Sequence, residues 1–294
     1  MTYSKEEWLT ALRECKRKHG EVTPSVFKND PEFPSYTGAA KRFGSWARAK
    51  ELAGVSDVQT AQCPECKGRY RHLVKHWNNS DCNRINPSEK QLEILTGVLM
   101  GDGTLLRDGK NAAVAVEMTN RRYLRWLDSQ LGLFSTGVRV KHTEEEQRAR
   151  SQNAYLESVR NSTSYKASHL LLTRKHPMFN QFRHWYDTGD KRYPAELTLT
   201  PTILRHWYCC DGTLNMPASA ANPTATIICT NETHREDFLI DLLGDVGFAV
   251  YARDGRFRFP VSETRRLLDW IGPAPPGFEY KWAQSHEEYQ RLRD

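Results

Sequence analysis

The sequence predicts an α+β protein. Its larger part is a tandem-duplicated αββαββα core with pseudo-twofold symmetry, preceded by a small helical module and a short Cys/His-rich segment. Three observations carry this prediction. "GDGTL" at residues 101–105 returns as "CDGTL" at 210–214, each closing an apolar helical run. The stretches that follow also match: "VAVEMTNRRYLRWLDSQLGLF" is shadowed by "ATIICTNETHREDFLIDLLGDVGF", a strand ending in Thr-Asn and then an amphipathic helix closed by Gly. Between the N-terminal helices and the first repeat, residues 63–82 gather three cysteines and two histidines in polar surroundings.

The 294 residues are 38% apolar and 27% charged, ordinary for a globular protein long enough to bury a core. No apolar run approaches a membrane span. The start, "MTYSKEEWLTALRECKRK", carries acids and a helix cap where an export signal would be apolar. A cytoplasmic protein is therefore expected, with its seven cysteines reduced thiols or metal ligands. The net charge of +6 permits a nucleic-acid partner, and residues 1–90, with 16 Lys and Arg against 11 Asp and Glu, hold most of it.

Residues 1–56 read as the helical module. Ser4 and Glu7 form a capping box, Gly20 closes the helix, and Trp8, Leu9 and Leu12 make one apolar face. "TPSVFKND" starts a second helix and "GAAKRFGSWARAKELAGV" a third. Three short helices with a basic last one suit a helix-turn-helix-like unit on DNA, with Lys41 and Arg42 as contacts. A protein-contact domain with a solvated charged face is the alternative.

Residues 60–85 follow as the second module. Cys63 and Cys66 form a C-x2-C knuckle, and His76 and Cys82 complete four ligands for one structural Zn2+, with His72 the substitute histidine. A redox C-x2-C would need a strand–helix context that this segment lacks. Lys67, Arg69, Arg71 and Lys75 surround the ligands and are expected to touch phosphates.

The repeats occupy residues 88–190 and 191–294. Ser88 caps "SEKQLEILTGVLMGDG", and Thr200 with Pro201 starts "LTPTILRHWYCCDG". Each copy continues with strands ("VRVKH" and "ASHLLLT"; "AVYAR" and "RFRFP") and a final helix ("PMFNQFRHWYDT"; "SETRRLLDWI"). Packing the two Asp-Gly helices along the pseudo-twofold axis, with Gly97 and Gly101 allowing close approach, brings Asp102 and Asp211 side by side. Helix C-termini are already negative. Two carboxylates there call for a hard cation, and carboxylates sharing Mg2+ are the parts for in-line phosphodiester hydrolysis. Cys209 and Cys210, adjacent on a helix, diverge too far to bridge each other and read as small structural residues.

With both motifs in place, the chain over roughly residues 88–292 resembles the LAGLIDADG homing endonucleases in their monomeric, two-motif, intron-encoded-like form. The helical module and the Cys/His segment resemble modules attached to such enzymes. The resemblance implies that Asp102 and Asp211 bind two or more Mg2+ ions at the scissile phosphates, helped by the backbone carbonyls of Gly101 and Cys210. Cys210 departs from the family pattern, which is often small or acidic there. The segments "KRYP" and "EYKW" match the family's lysine positions and imply Lys191 and Lys281, which stabilise the pentavalent phosphate or activate water. These lysines lie 89 and 70 residues after their aspartates, a difference that fits an extra polar stretch, "EEEQRARSQNAYLESVRNS".

The implied sheets would sit over the DNA major groove. Val138 and Val140 would point inward and Arg139 and Lys141 outward, as would Arg256 and Arg258 of "GRFRFP". The expected function is a monomeric, site-specific double-strand DNA endonuclease with a long, non-palindromic target and no membrane partner. An intron RNA maturase and a DNA-binding regulator on a degenerate endonuclease fold are the alternatives.

Overall fold

Residues 3–56, 60–152, 165–218 and 222–293 are described by the computed structural model, in two units, residues 1–61 and 62–294. In the first unit the Ser4 hydroxyl accepts from the Glu7 N–H at 3.2 Å and the Glu7 carboxylate from the Ser4 N–H at 2.7 Å. This box opens α1 (Lys5–His19), which stops at Gly20 with φ +71. Thr23 caps α2 (Pro24–Asn29). The single helix expected next is two, α3 (Tyr36–Phe43) and α4 (Trp46–Leu52). The break lies at Gly44, whose φ of +84 ends α3, and Ser45, which recaps by accepting from the Arg48 N–H at 3.1 Å. Trp8, Leu12, Phe27 and Ala39 are buried together, and a side chain at Gly38 would fall 2.7 Å from the Trp8 indole.

In the second unit α5 (Leu73–Asn78) precedes the first repeat. That repeat runs α6 (Glu89–Met100), β1 (Gly103–Leu106), β2 (Ala113–Met118), α7 (Arg121–Leu131), β3 (Ser135–His142), α8 (Glu144–Gln152) and β4 (Ser168–Thr173), ending in a 3-10 helix, Pro177–Tyr186. The second runs α9 (Pro201–Asp211), β5 (Gly212–Asn215), β6 (Thr224–Ile228), α10 (Glu236–Gly244), β7 (Tyr251–Arg253), β8 (Arg256–Arg258) and α11 (Val261–Ile271). Both sheets are antiparallel, ordered β1-β2-β4-β3 and β5-β6-β8-β7. The duplicated α+β architecture is the one expected. Of the extra polar stretch, Glu144–Gln152 is helix and residues 153–164 lie outside the described residues.

Two elements of the first repeat also differ from expectation. The final helix of the first repeat is 3-10 rather than α: Phe179, Phe182 and Trp185 are buried at a spacing of three, the period at which 3-10 side chains eclipse. Val140 does not point into the core; it is 52% exposed. β3 is an edge strand whose register shifts on either side of it, between Ser135 and Val138 and between Val140 and His142, so strict alternation fails.

α6 packs against α9 along the repeat axis. A Cβ at Gly97 would sit 2.3 Å from the Ile203 carbonyl oxygen, and one at Gly101 2.2 Å from the Cys210 Cβ. Within this interface His206 is fully buried, its Nδ1 hydrogen-bonded to the Tyr123 hydroxyl at 2.6 Å and its ring stacked on Trp126. Burial lowers its pKa to about 3, helped by the Arg205 charge. The folded chain thus refuses a proton that the unfolded chain takes below about pH 6.5. Stability present above that pH is therefore lost as the pH falls toward 3, by about 1.4 kcal/mol per pH unit. The Asp211 carboxyl, raised to about 7, titrates with the opposite sign over the same range, so the comparison is made without it: urea midpoints at pH 7.5 and 5 should fall apart for Asp211→Asn and converge for Asp211→Asn combined with His206→Gln.

Candidate active site and Cys/His knuckle

Asp102 follows the last turn of α6 and Asp211 ends α9, each followed by a glycine that starts a strand. At Gly212 a Cβ would lie 2.1 Å from the Tyr208 ring, so the chain can leave the helix this tightly only without a side chain. The Gly101 Cβ position lies 3.5 Å from the Asp211 carboxyl carbon, which puts the two helix ends in contact at the acidic residues. Burial and the Asp102 charge push the Asp211 carboxyl up to about 7, against the pull of Lys191 and of the Trp207 indole, which donates to Oδ2 at 3.2 Å. Burial also raises Asp102, opposed by Lys281 and then Lys191. Two carboxylates brought to adjoining negative helix ends form an all-oxygen donor set, which fits a hard divalent cation.

The two lysines converge on the same end. Lys191 Nζ donates to the Gly101 carbonyl at 2.6 Å and to that of Gly103 at 3.3 Å. Lys281 Nζ donates to the Cys209 carbonyl at 2.6 Å and to that of Tyr208 at 3.4 Å. Lys191 thus caps the first motif helix and Lys281 the second, while the charge of each acts most strongly on the aspartate of the other helix: Asp102 is relieved first by Lys281, Asp211 first by Lys191. Burial lowers both amines, and Lys281 is only 5% exposed. The Gly101 carbonyl expected to face a metal therefore already holds Lys191, with one lone pair left. Cys210 lies against Gly101, and its thiol, like that of Cys209, is pushed up by burial, to about 12 for Cys209. Neither thiol is poised as a nucleophile.

Sequence reasoning missed two supports of this site, Trp207 and Glu232. The fully buried Glu232 accepts the Tyr193 N–H at 2.6 Å, two residues after Lys191. The available signal was an acidic residue in "TNETHR" where the other copy has arginine.

Cys63, Cys66, His76 and Cys82 bring their ligand atoms within 4.8 Å of one another, and His72 stays outside the group. Burial opposes ionisation of Cys63, but the backbone N–H groups of Cys66 and Glu65 hold its thiol down to about 6. Three sulfurs and one imidazole, with one thiol readily ionised, fit tetrahedral zinc. The knuckle is docked on the first repeat: the buried Arg174 donates to the Arg71 carbonyl at 2.8 Å and to that of Leu133 at 3.1 Å, and Trp77 meets His176 edge-on. Cys66→Ser is expected to lower bound zinc from about one per chain to near none. It should also make residues 63–82 protease-sensitive while the repeats still melt cooperatively; metal analysis and limited proteolysis check both.

The expected DNA contacts distribute unevenly. Lys41 and Arg42 are exposed on the last turn of α3, and Arg69, Arg71 and Lys75 are exposed on the knuckle. Lys67 folds back, donating to the Pro64 carbonyl. Arg139 and Lys141 are exposed on β3, where Lys141 pairs with Glu117. Arg256 and Arg258 line a groove of about 400 Å³ on the second sheet with Thr213, Asn215 and Thr226.

Residues 92–254 match the profile of the LAGLIDADG DNA endonuclease family, and residues 3–56 that of the homing endonuclease associated repeat. Among curated proteins, the uncharacterized protein MJ1098 of Methanocaldococcus jannaschii is 27% identical over 165 residues, covering 55% of this chain and 58% of its own. The chain thus spans little more than half the length of that relative. Among solved structures, the homing endonuclease I-WcaI, bound to its DNA recognition sequence, shares the fold with a TM-score of 0.57 at 16% identity, over 80% of this chain and 97% of that one.

Proposed function

Because the chain belongs to the LAGLIDADG DNA endonuclease family, we propose that it cuts both strands of duplex DNA at a long, non-palindromic site, acting as a cytoplasmic monomer. The observation that carries this reading is the meeting of Asp102 and Asp211 at the paired ends of α6 and α9. These carboxylates, with the carbonyls of Gly101 and Cys210, would hold magnesium. When bound, magnesium polarises the phosphate and lowers the pKa of water. The chain's own residues prepare the site. The Trp207 indole holds one oxygen of Asp211 and leaves the other free to face the cation. Lys191 and Lys281, anchored on helix-end carbonyls, keep two positive charges beside the place where phosphate charge grows.

The outer faces of the two sheets carry base and phosphate contacts, Arg139 and Lys141 on one, Arg256 and Arg258 on the other. They differ in residue content, which favours unlike half-sites. Residues 1–56 extend the footprint through Lys41 and Arg42. Residues 60–85, folded around zinc, do so through Arg69, Arg71 and Lys75. Residues 88–190 and 191–294 form the two catalytic halves.

The test is selection from a randomised duplex library by the full chain with magnesium, followed by mapping of both cut ends. Recovery of one long site cut on both strands supports the reading. Tight binding without cutting indicates a regulator. Binding of structured RNA in preference to duplex DNA indicates a maturase.

A further inference from the structure

A Thr-Asn turn follows the second strand in both repeats. In the first repeat Asn120 donates through Nδ2 to the Gly277 carbonyl at 2.7 Å, while its Oδ1 caps α7 by accepting from the Tyr123 N–H at 3.1 Å. Arg122 donates to Glu279 at 2.7 Å, and Glu279 in turn accepts the Gly277 N–H at 2.7 Å. Gly277 and Glu279 belong to the segment that carries Lys281. Gly277 has φ +91, and a Cβ there would lie 2.2 Å from Asn120 Oδ1, so this contact is fitted on both sides.

The second repeat mirrors this arrangement with different chemistry. Two residues after Thr230, Glu232 accepts the Tyr193 N–H at 2.6 Å and pairs with Arg235 at 3.2 Å. Arg235 also donates to the Tyr193 carbonyl at 2.8 Å. Both backbone groups of Tyr193 are thus held by the second repeat, and Tyr193 sits two residues from Lys191. The Tyr193 hydroxyl donates to the Met100 carbonyl at the end of α6. The turn of the first repeat therefore grips the lysine segment that follows the last helix of the second, and the turn of the second grips the lysine segment that follows the last helix of the first.

We propose that the two turns are reciprocal clamps: Asn120 and Arg122 are positioning residues for Lys281, and Glu232 and Arg235 for Lys191. The inference rests on the endonuclease reading above. A lysine has a flexible four-carbon stem, and burial acts against its charge. Only a fixed backbone at residues 191–193 and 277–281 keeps each amine on its helix-end carbonyl. Each clamp governs one lysine, so each serves one of the two strand cuts.

The test uses the full-length protein on supercoiled plasmid carrying the site selected by the wild type. Asn120→Asp keeps the helix cap but loses the donor to Gly277. Glu232→Gln keeps an acceptor for Tyr193 but loses the ion pair with Arg235. Each is expected to accumulate nicked circles, slowing one strand by about ten- to a hundredfold. The uncut strand, mapped by primer extension, should be opposite in the two variants, and binding should be unchanged. Arg122→Gln, at an exposed side chain that leaves folding intact, should show the Asn120→Asp strand bias. Equal slowing of both strands, the same bias in Asn120→Asp and Glu232→Gln, or unimpaired cutting by Arg122→Gln overturns the clamps while leaving the endonuclease standing. A wild type that cuts no duplex overturns both.

Discussion

Asp102→Asn and Asp211→Asn are each expected to abolish strand cleavage, by about a thousandfold or more, while leaving the chain better folded. An asparagine keeps the shape and one oxygen of the aspartate but not its charge, so a bound cation would lose half of its paired anionic donors. In the metal-free protein the same change removes a repulsion: burial and Asp102 already push the Asp211 carboxyl up to about 7. Asp211→Asn should therefore raise metal-free stability by about 1–2 kcal/mol. Single-turnover cleavage and urea unfolding in chelator, on one preparation, check both parts. A variant that loses activity and stability together would mark these carboxylates as structural.

Gly97→Ala is expected to cost about 3 kcal/mol and to disable the site from a distance of one helical turn. The new methyl would lie 2.3 Å from the Ile203 carbonyl oxygen, and the neighbour is backbone, which cannot rotate away. The helices must separate, and the aspartates at their shared end separate with them. Gly244→Ala is the matched control: it ends α10 with nothing within 4 Å of its Cβ position, so it should stabilise by about 0.5–1 kcal/mol through helix propensity. Parallel urea titrations decide the comparison.

The features legible in the sequence were those written locally or written twice. The Ser4 and Ser88 boxes are patterns of four residues, and the Cys63, Cys66, His76 and Cys82 group falls within twenty. The two Asp-Gly endings validated each other because a chance match would not extend into the Thr-Asn turns. The partners of the lysines were not legible, since Lys191 meets Gly101 and Lys281 meets Cys209 only after the chain has folded back. Glu232 reads in sequence as a surface charge because its neighbourhood is polar; only the fold shows that it is sealed beneath Tyr193 and Arg235. The break at Gly44 was visible in principle, since Gly-Ser is both a helix stop and a helix start, but the apolar spacing on either side reads as continuous. Val140 fails for a related reason: alternation predicts two faces, and a shifted edge strand does not keep to them.

The contact of Gly101 with Cys210 bears on how such a chain can change over generations. In a dimer of identical subunits, a residue on the twofold axis meets its own copy, and any enlargement is doubled at once. Two cysteines facing each other at this separation would collide; two glycines would leave a gap. Here the halves share one polypeptide, so a knob on one helix can be matched by a hole on the other, and the Cys210 side chain fills the space that Gly101 vacates. Fusion thus releases the axis from self-complementarity. The same freedom extends to the two sheets, where Glu117 and Leu170 pair on one face and Thr226 and Arg258 on the other, each open to substitution without an echo in its twin.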